Sequence, residues 1–230
     1  MTNAVQGEPT ILLVHGAWHG AWCWYKLVPE LTARGWRTLT VDLPSASTGS
    51  NETAGMYDDA RAIRAQLADV DGPVTVLAHS YGGVPVTEAA AAASQVSRIL
   101  YLAGFQLEAG ASLVGESGGE LPSGDTGTSP VPDDAAKALF NDIAAEEADR
   151  AVRRLTPQSV RSFSEPLTAA AWKTVPSRYI VCEHDEMLPP AYQESMGSRA
   201  DRVYRLPSGH SPFLSMASEL AELITADADS

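Results

Sequence analysis

The sequence predicts an α/β fold, a mostly parallel sheet of about six strands flanked by helices and interrupted by a small helical insertion. Two observations carry this expectation. Short apolar, β-branched runs alternate with amphipathic segments at helical spacing, the rhythm of a sheet covered on both faces. That rhythm fails between Gln106 and Val175, where a Gly/Ser/Pro-rich stretch precedes an alanine-rich one. The 230 residues, 44% of them hydrophobic, suffice for one well-buried core and demand no second independent domain.

Each element has its own warrant. "TILLVHG" is a buried strand, and "YKLVPELTARG" a helix closed by Gly35 in a C-terminal cap. "WRTLTVDLP" is the second strand. "MYDDARAIRAQLADV" is the second helix, with Asp58 and Asp59 in its first turn, where the helix dipole favours negative charge. "GPVTVLAHS" is a buried strand running into a helix from about Gly83 to Ser94. "SRILYLAGF", "SRYIVCEHD" and "DRVYRLPSGH" complete the strands, and a helix from about Phe213 to Asp227 follows. The interrupting stretch, "GESGGELPSGDTGTSPVP" followed by a helical "DDAAKALFNDIAAEEADRAVRRL", is too long for a structureless loop in a compact domain. Its apolar Ala138, Leu139, Ile143, Val152 and Leu155 need a surface to pack on. The expected organisation is therefore a core of residues 1–105 and 176–230 with a cap, or lid, over 106–175.

Composition narrows the function classes. A net charge of -13 repels phosphate backbones and anionic membranes, so neither nucleic acid nor a membrane surface is an expected partner. Two cysteines, Cys23 and Cys182, far apart and outside any C-x-x-C arrangement, support neither a disulfide framework nor a thiolate metal site. No metal and no cofactor is expected. The N-terminus "MTNAVQGEPT" lacks a basic and an apolar leader region, and no window approaches a membrane span, so a cytoplasmic location is expected.

The stretch "VLAHSYGGVP" places Ser80 between a strand and a helix. A sharp strand-to-helix turn can hold such a residue strained, with its side chain above the sheet, provided the residues two before and two after are small. Ala78 and Gly82 meet that need; the usual pattern is G-x-S-x-G, and alanine replaces the first glycine. Serine is a poor nucleophile at neutral pH and requires a base held in the right tautomer by a third group. Of the five histidines, His210 in "LPSGHSPF" follows the last strand, which completes the order Ser, Asp, His. His79 should point away from the nucleophile, and His79, His15, His19 and His184 are each assigned structural or pocket-wall roles. Among Glu183, Asp185 and Glu186, Asp185 is the expected orienting acid because it lies just past the apolar run; Asp42 is a weaker rival on another strand. Expected oxyanion donors are the backbone N–H groups of Tyr81 and of Ala17, in the first loop "HGAWHGAW". That loop lacks the Lys and spacing of a phosphate-binding loop. Trp18 and Phe105 are expected to line an apolar substrate pocket.

Together "VHGAWHGAWCWYKLVPELTARGWRTLTVDLP", "AHSYGG", "YIVCEHDEMLPP" and "GHSPFLSM" resemble the α/β-hydrolase group of plant methylesterases, hydroxynitrile lyases and bacterial carboxylesterases, including pyrethroid hydrolases. The resemblance covers both ends of the chain and omits the insertion. It implies an α/β-hydrolase fold, maps Ser80, Asp185 and His210 onto the family's triad, and maps Ala17 and Tyr81 onto its oxyanion donors. The lyases carry Thr where this chain has Gly16 and Lys where it has Ser211. The expectation is thus a serine esterase cleaving a small or medium hydrophobic carboxylic ester through an acyl-enzyme. A lyase-type reaction on the same triad and a small-molecule receptor on a hydrolase fold are the alternatives.

Overall fold

The structure is a computed structural model that describes residues 8–46, 51–119 and 121–228. Six parallel strands form the central sheet: β1 (Thr10–Val14), β2 (Arg37–Val41), β3 (Val74–His79), β4 (Val96–Leu102), β5 (Ser177–Cys182) and β6 (Arg202–Leu206). Their spatial order is β2-β1-β3-β4-β5-β6, so the chain first builds outward from β1 and then reverses direction through β3. Ligand sites in such sheets fall at that reversal, above the carboxyl ends of β1 and β3.

Burial follows position in the sheet. Every residue of β1 and β3 is buried, whereas the edge strands β2 and β6 keep exposed or half-exposed positions. Alternation sends Leu12, Val14, Val76 and Ala78 to one face, against α2 (Met56–Ala68) and α3 (Gly83–Ala90). Ile11, Leu13, Leu77 and Leu100 go to the other, with α1 (Leu27–Ala33) and the C-terminal helix Ala217–Ala228. Gly35 sits at φ 80 after α1, a conformation that favours glycine.

Three helices are shorter than the sequence pattern suggests. α3 stops at Ala90 and a tight alanine turn redirects the chain into β4. The C-terminal helix starts at Ala217, because a separate turn, Pro212–Ser215, is cut off by Met216 at φ -134. The helix expected after Asp134 divides into Ala135–Phe140 and Ala145–Val152. Asn141 and Asp142 occupy the break and spend their side chains on other loops: Asn141 Nδ2 donates to His184 O at 2.8 Å and Asp142 Oδ2 accepts from Gly209 N at 2.7 Å.

Residues 103–176 contribute no strand to the central sheet among the described residues. They hold the short helices Leu113–Glu116 and Val160–Ser164, the two just named, and a two-stranded antiparallel ribbon pairing Thr128–Ser129 with Gln158–Ser159. Phe163 and Leu113 join one core cluster, and Ala138, Leu139 and Phe140 the other.

Candidate active site

β3 ends at His79 and the chain turns through the 3₁₀ segment Ser80–Gly82 directly into α3. Ser80 adopts φ 51, a left-handed conformation uncommon for a residue with a Cβ. The small neighbours are required by close approach. A Cβ on Gly82 would lie 2.5 Å from His15 O, and one on Gly16 would lie 2.9 Å from both Ser80 Cβ and His79 Nδ1.

The two expected oxyanion donors follow paired strand ends. β1 and β3 pair Val14 with Ala78, and Ala17 and Tyr81 each lie three residues further along. Among the described residues neither the Ala17 nor the Tyr81 amide donates to a protein acceptor. The first loop is pinned by His15: Leu43 N donates to Nε2 at 3.0 Å, so the proton resides on Nδ1, which donates to Gly16 O at 2.8 Å. Burial lowers the pKa of His15, consistent with this neutral, doubly bonded ring.

Asp185 and His210 are brought together. His210 Nδ1 lies 2.7 Å from Asp185 Oδ2 with both side chains essentially out of solvent. A carboxylate accepts, so Nδ1 carries the proton and Nε2 keeps its lone pair. Asp185 Oδ1 receives the amides of Met187 and Leu188, both at 2.8 Å, and Oδ2 also receives Gln193 Nε2 at 2.8 Å. Glu186 is exposed and pairs with Lys137, and Glu183 is exposed as well. Asp42, the rival acid, instead accepts from Ala21 N at 2.6 Å and lines a cavity of about 400 Å³ with His15, His19, Trp22 and Arg154.

His79 packs against the loop of the candidate base. Its ring packs against that of His210, centroids 4.6 Å apart, and Nε2 donates to His210 O at 2.9 Å. It therefore braces the loop bearing His210. His19 reaches the same cluster, 5.9 Å from His79 and edge-on to Phe140 and Phe213, with Nδ1 donating to Ala17 O at 2.8 Å. Burial holds His79 well below its usual pKa, with His210 and His19 adding to the effect, and drives His19 down to about 3. Both rings are neutral at physiological pH.

The expected pocket residues take different positions. Phe105 is half-buried, its amide donates to Ser80 O at 3.0 Å, and its ring meets Tyr192 edge-on. Trp18 is buried edge-on to Phe163 and adopts φ 62. Ser80 itself is 8% exposed.

Two groups escaped sequence reasoning. Gln193 anchors Asp185 from the helix Pro190–Gly197, and also receives Cys182 N at 2.9 Å on Oε1. Asp59, which the sequence places as an ordinary first-turn acid, is fully buried and binds Ser45 and Tyr81. A glutamine or aspartate on a helix carries no signal of such a role; only the apolar spacing around Asp59 hinted that its face was inward.

The sheet reverses at β1 and β3, a strained serine follows β3, and a buried Asp–His pair lies beyond β5 and β6. The chain belongs to the alpha/beta hydrolase family, whose model matches residues 11–223. It is 29% identical to a carbendazim hydrolyzing esterase from Nocardioides sp., covering 94% of this chain and 98% of that one. The crystal structure of a methylesterase from Arabidopsis superposes with a TM-score of 0.80 at 26% identity, covering 96% and 99% of the two chains. That of a pyrethroid hydrolase from Sphingobium faniae gives 0.79 at 26% identity, covering 96% and 98%.

Proposed function

We propose that this chain is a serine carboxylesterase acting on a small or medium hydrophobic carboxylic ester. The observation that carries the reading is the buried Asp185–His210 pair, with Nδ1 committed to the carboxylate and Nε2 left as the base, on the same sheet edge as strained Ser80. Similarity to an esterase, a methylesterase and a pyrethroid hydrolase supports the ester as substrate class.

In this mechanism His210 Nε2 removes the Ser80 hydroxyl proton as Oγ attacks the ester carbonyl. The N–H groups of Ala17 and Tyr81 stabilise the resulting oxyanion, and Asp185 stabilises the imidazolium. The proton passes to the leaving alcohol as the acyl-enzyme forms. Water, deprotonated by the same imidazole, then attacks the acyl carbon and Ser80 is regenerated. The chemistry needs no cofactor. Residues 106–175 act as the cap that selects acyl and alcohol groups, with Trp18 and Phe105 on the pocket wall. Gly16 and Ser211 stand where the lyases carry Thr and Lys, which favours hydrolysis over the lyase alternative.

The test is hydrolysis of p-nitrophenyl esters from acetate to decanoate beside the Ser80→Ala variant. Turnover should fall by about 10⁴- to 10⁶-fold in the variant with its melting temperature preserved. Substantial retained turnover would overturn the mechanism.

A further inference from the structure

The side chain of Tyr81 does something its backbone role does not require. It is 1% exposed and its hydroxyl donates to Asp59 Oδ2 at 2.6 Å. Asp59, on α2, accepts Ser45 N on Oδ1 at 3.0 Å and Ser45 Oγ on Oδ2. Gln158, from the ribbon between β4 and β5, donates Nε2 to Ser45 Oγ at 2.6 Å and to Ser162 Oγ at 2.8 Å. Its Oε1 accepts the Trp18 amide at 3.2 Å.

Hydrogen-bond directions follow from the groups involved. Ser45 Oγ accepts from Gln158, so its own hydrogen points to Asp59, which also takes the Tyr81 proton. The chain runs from the Trp18 amide through Gln158 and Ser45 to a carboxylate and back to Tyr81. Asp59 and Gln158 are both 0% exposed, and neither leaves a buried polar atom unpartnered. A polar network satisfied throughout and shut off from water is rigid.

Its two ends carry backbone strain. Trp18, at φ 62, follows Ala17, and Ser80, at φ 51, precedes Tyr81. Ser80 shares the peptide that carries the Tyr81 N–H and Trp18 is the residue after the other donor, and such conformations persist only where surrounding contacts over-determine them.

We infer that Asp59, Ser45, Gln158 and the Tyr81 hydroxyl form a positioning network that holds the Ala17 and Tyr81 amides in register for the oxyanion. This rests on the esterase reading above. None of the four side chains contacts the reacting atoms in that scheme; they act through the two loops. Gln158 comes from the inserted segment, so the insertion takes part in setting the chemistry as well as covering it.

The experiment compares Tyr81→Phe, Gln158→Leu and the double variant on p-nitrophenyl butyrate, with amide hydrogen exchange at Trp18 and Tyr81 followed by NMR. Each single variant should lower kcat by about 10- to 100-fold, less than outright loss of an oxyanion donor, with KM within about twofold. The double variant should lose less than the product of the two, as members of one network do. Exchange at Trp18 should accelerate in Gln158→Leu. Folded variants with unchanged kcat and exchange, beside active wild type, would overturn the network and leave the esterase standing. A loss residing wholly in KM would also overturn it. Inactive wild type would overturn the esterase reading, and the network with it.

Discussion

Each side of Ser80 holds a saturated buried carboxylate, Asp185 or Asp59, and the base side adds a cluster of packed imidazole rings. On the base side, His210 sits among neutral, buried rings, and His19 Nε2 and His79 Nδ1 lack a hydrogen-bond partner among the described residues. On the oxyanion side a buried carboxylate, Asp59, is surrounded by three donated hydrogen bonds. A neutral imidazole tolerates a bare nitrogen at modest cost, whereas a buried carboxylate is stable only when its oxygens are occupied. The base side thus adds packed neutral rings to its own saturated carboxylate, Asp185, whereas the oxyanion side relies on hydrogen-bond saturation.

The sharpest way to break this comparison is to remove the one charge on the base side. Asp185→Asn keeps the size of the side chain, lets the His210 tautomer invert and sets an amide NH2 against donors the carboxylate accepts, so kcat should fall by about 10³- to 10⁴-fold and melting temperature should drop. A much smaller loss would mean that packing against His79 alone orients the base.

A smaller effect is expected from Gln193→Leu. It takes one donor from Asp185 and leaves the Cys182 amide buried without its acceptor, so kcat should drop by roughly tenfold and stability by about 1–3 kcal/mol. Unfolding in urea together with ester turnover reads both.

The gentlest test uses pH, because the two sides respond with opposite signs. Burial lowers His19 from 6.5 to about 3, so between these values the folded state binds fewer protons than the unfolded one, and stability is lost as pH falls through that window. His15 and His79 shift in the same direction. Burial raises Asp59 from 3.8 to about 7 against the pull of its Ser45 and Tyr81 hydrogen bonds, so the folded state binds more protons and stability is lost as pH rises across that range. Each contribution is bounded by roughly 1.4 kcal/mol per pH unit. Asp59→Asn should flatten the decline toward neutral pH and leave the acid-side loss intact, as read from melting temperature across pH. An unchanged profile would remove Asp59 as the titrating group.

Much of the molecule is legible in the sequence. The six strands, their alternating helices and the turn at Ser80 are local features, written in β-branched runs, helical spacing and small residues at fixed offsets. The long interruption was visible as a composition shift, although its helix broke at Asn141 and Asp142 because those side chains hold distant loops. The contact of His79 with His210 was not legible, because alternation along a strand says which face a residue takes and nothing about which distant ring approaches it.

By itself the sequence determined the α/β architecture, the family, and which serine, aspartate and histidine stand at strand ends. Those properties depend on the identity and spacing of near neighbours in the chain. Only the tertiary structure decided that Gln193 holds Asp185, that Asp59 is buried under Tyr81, and that Gln158 reaches the first loop across 140 residues. Such contacts arise from packing between elements far apart in sequence, and polar residues on a helix or loop look alike until their partners arrive.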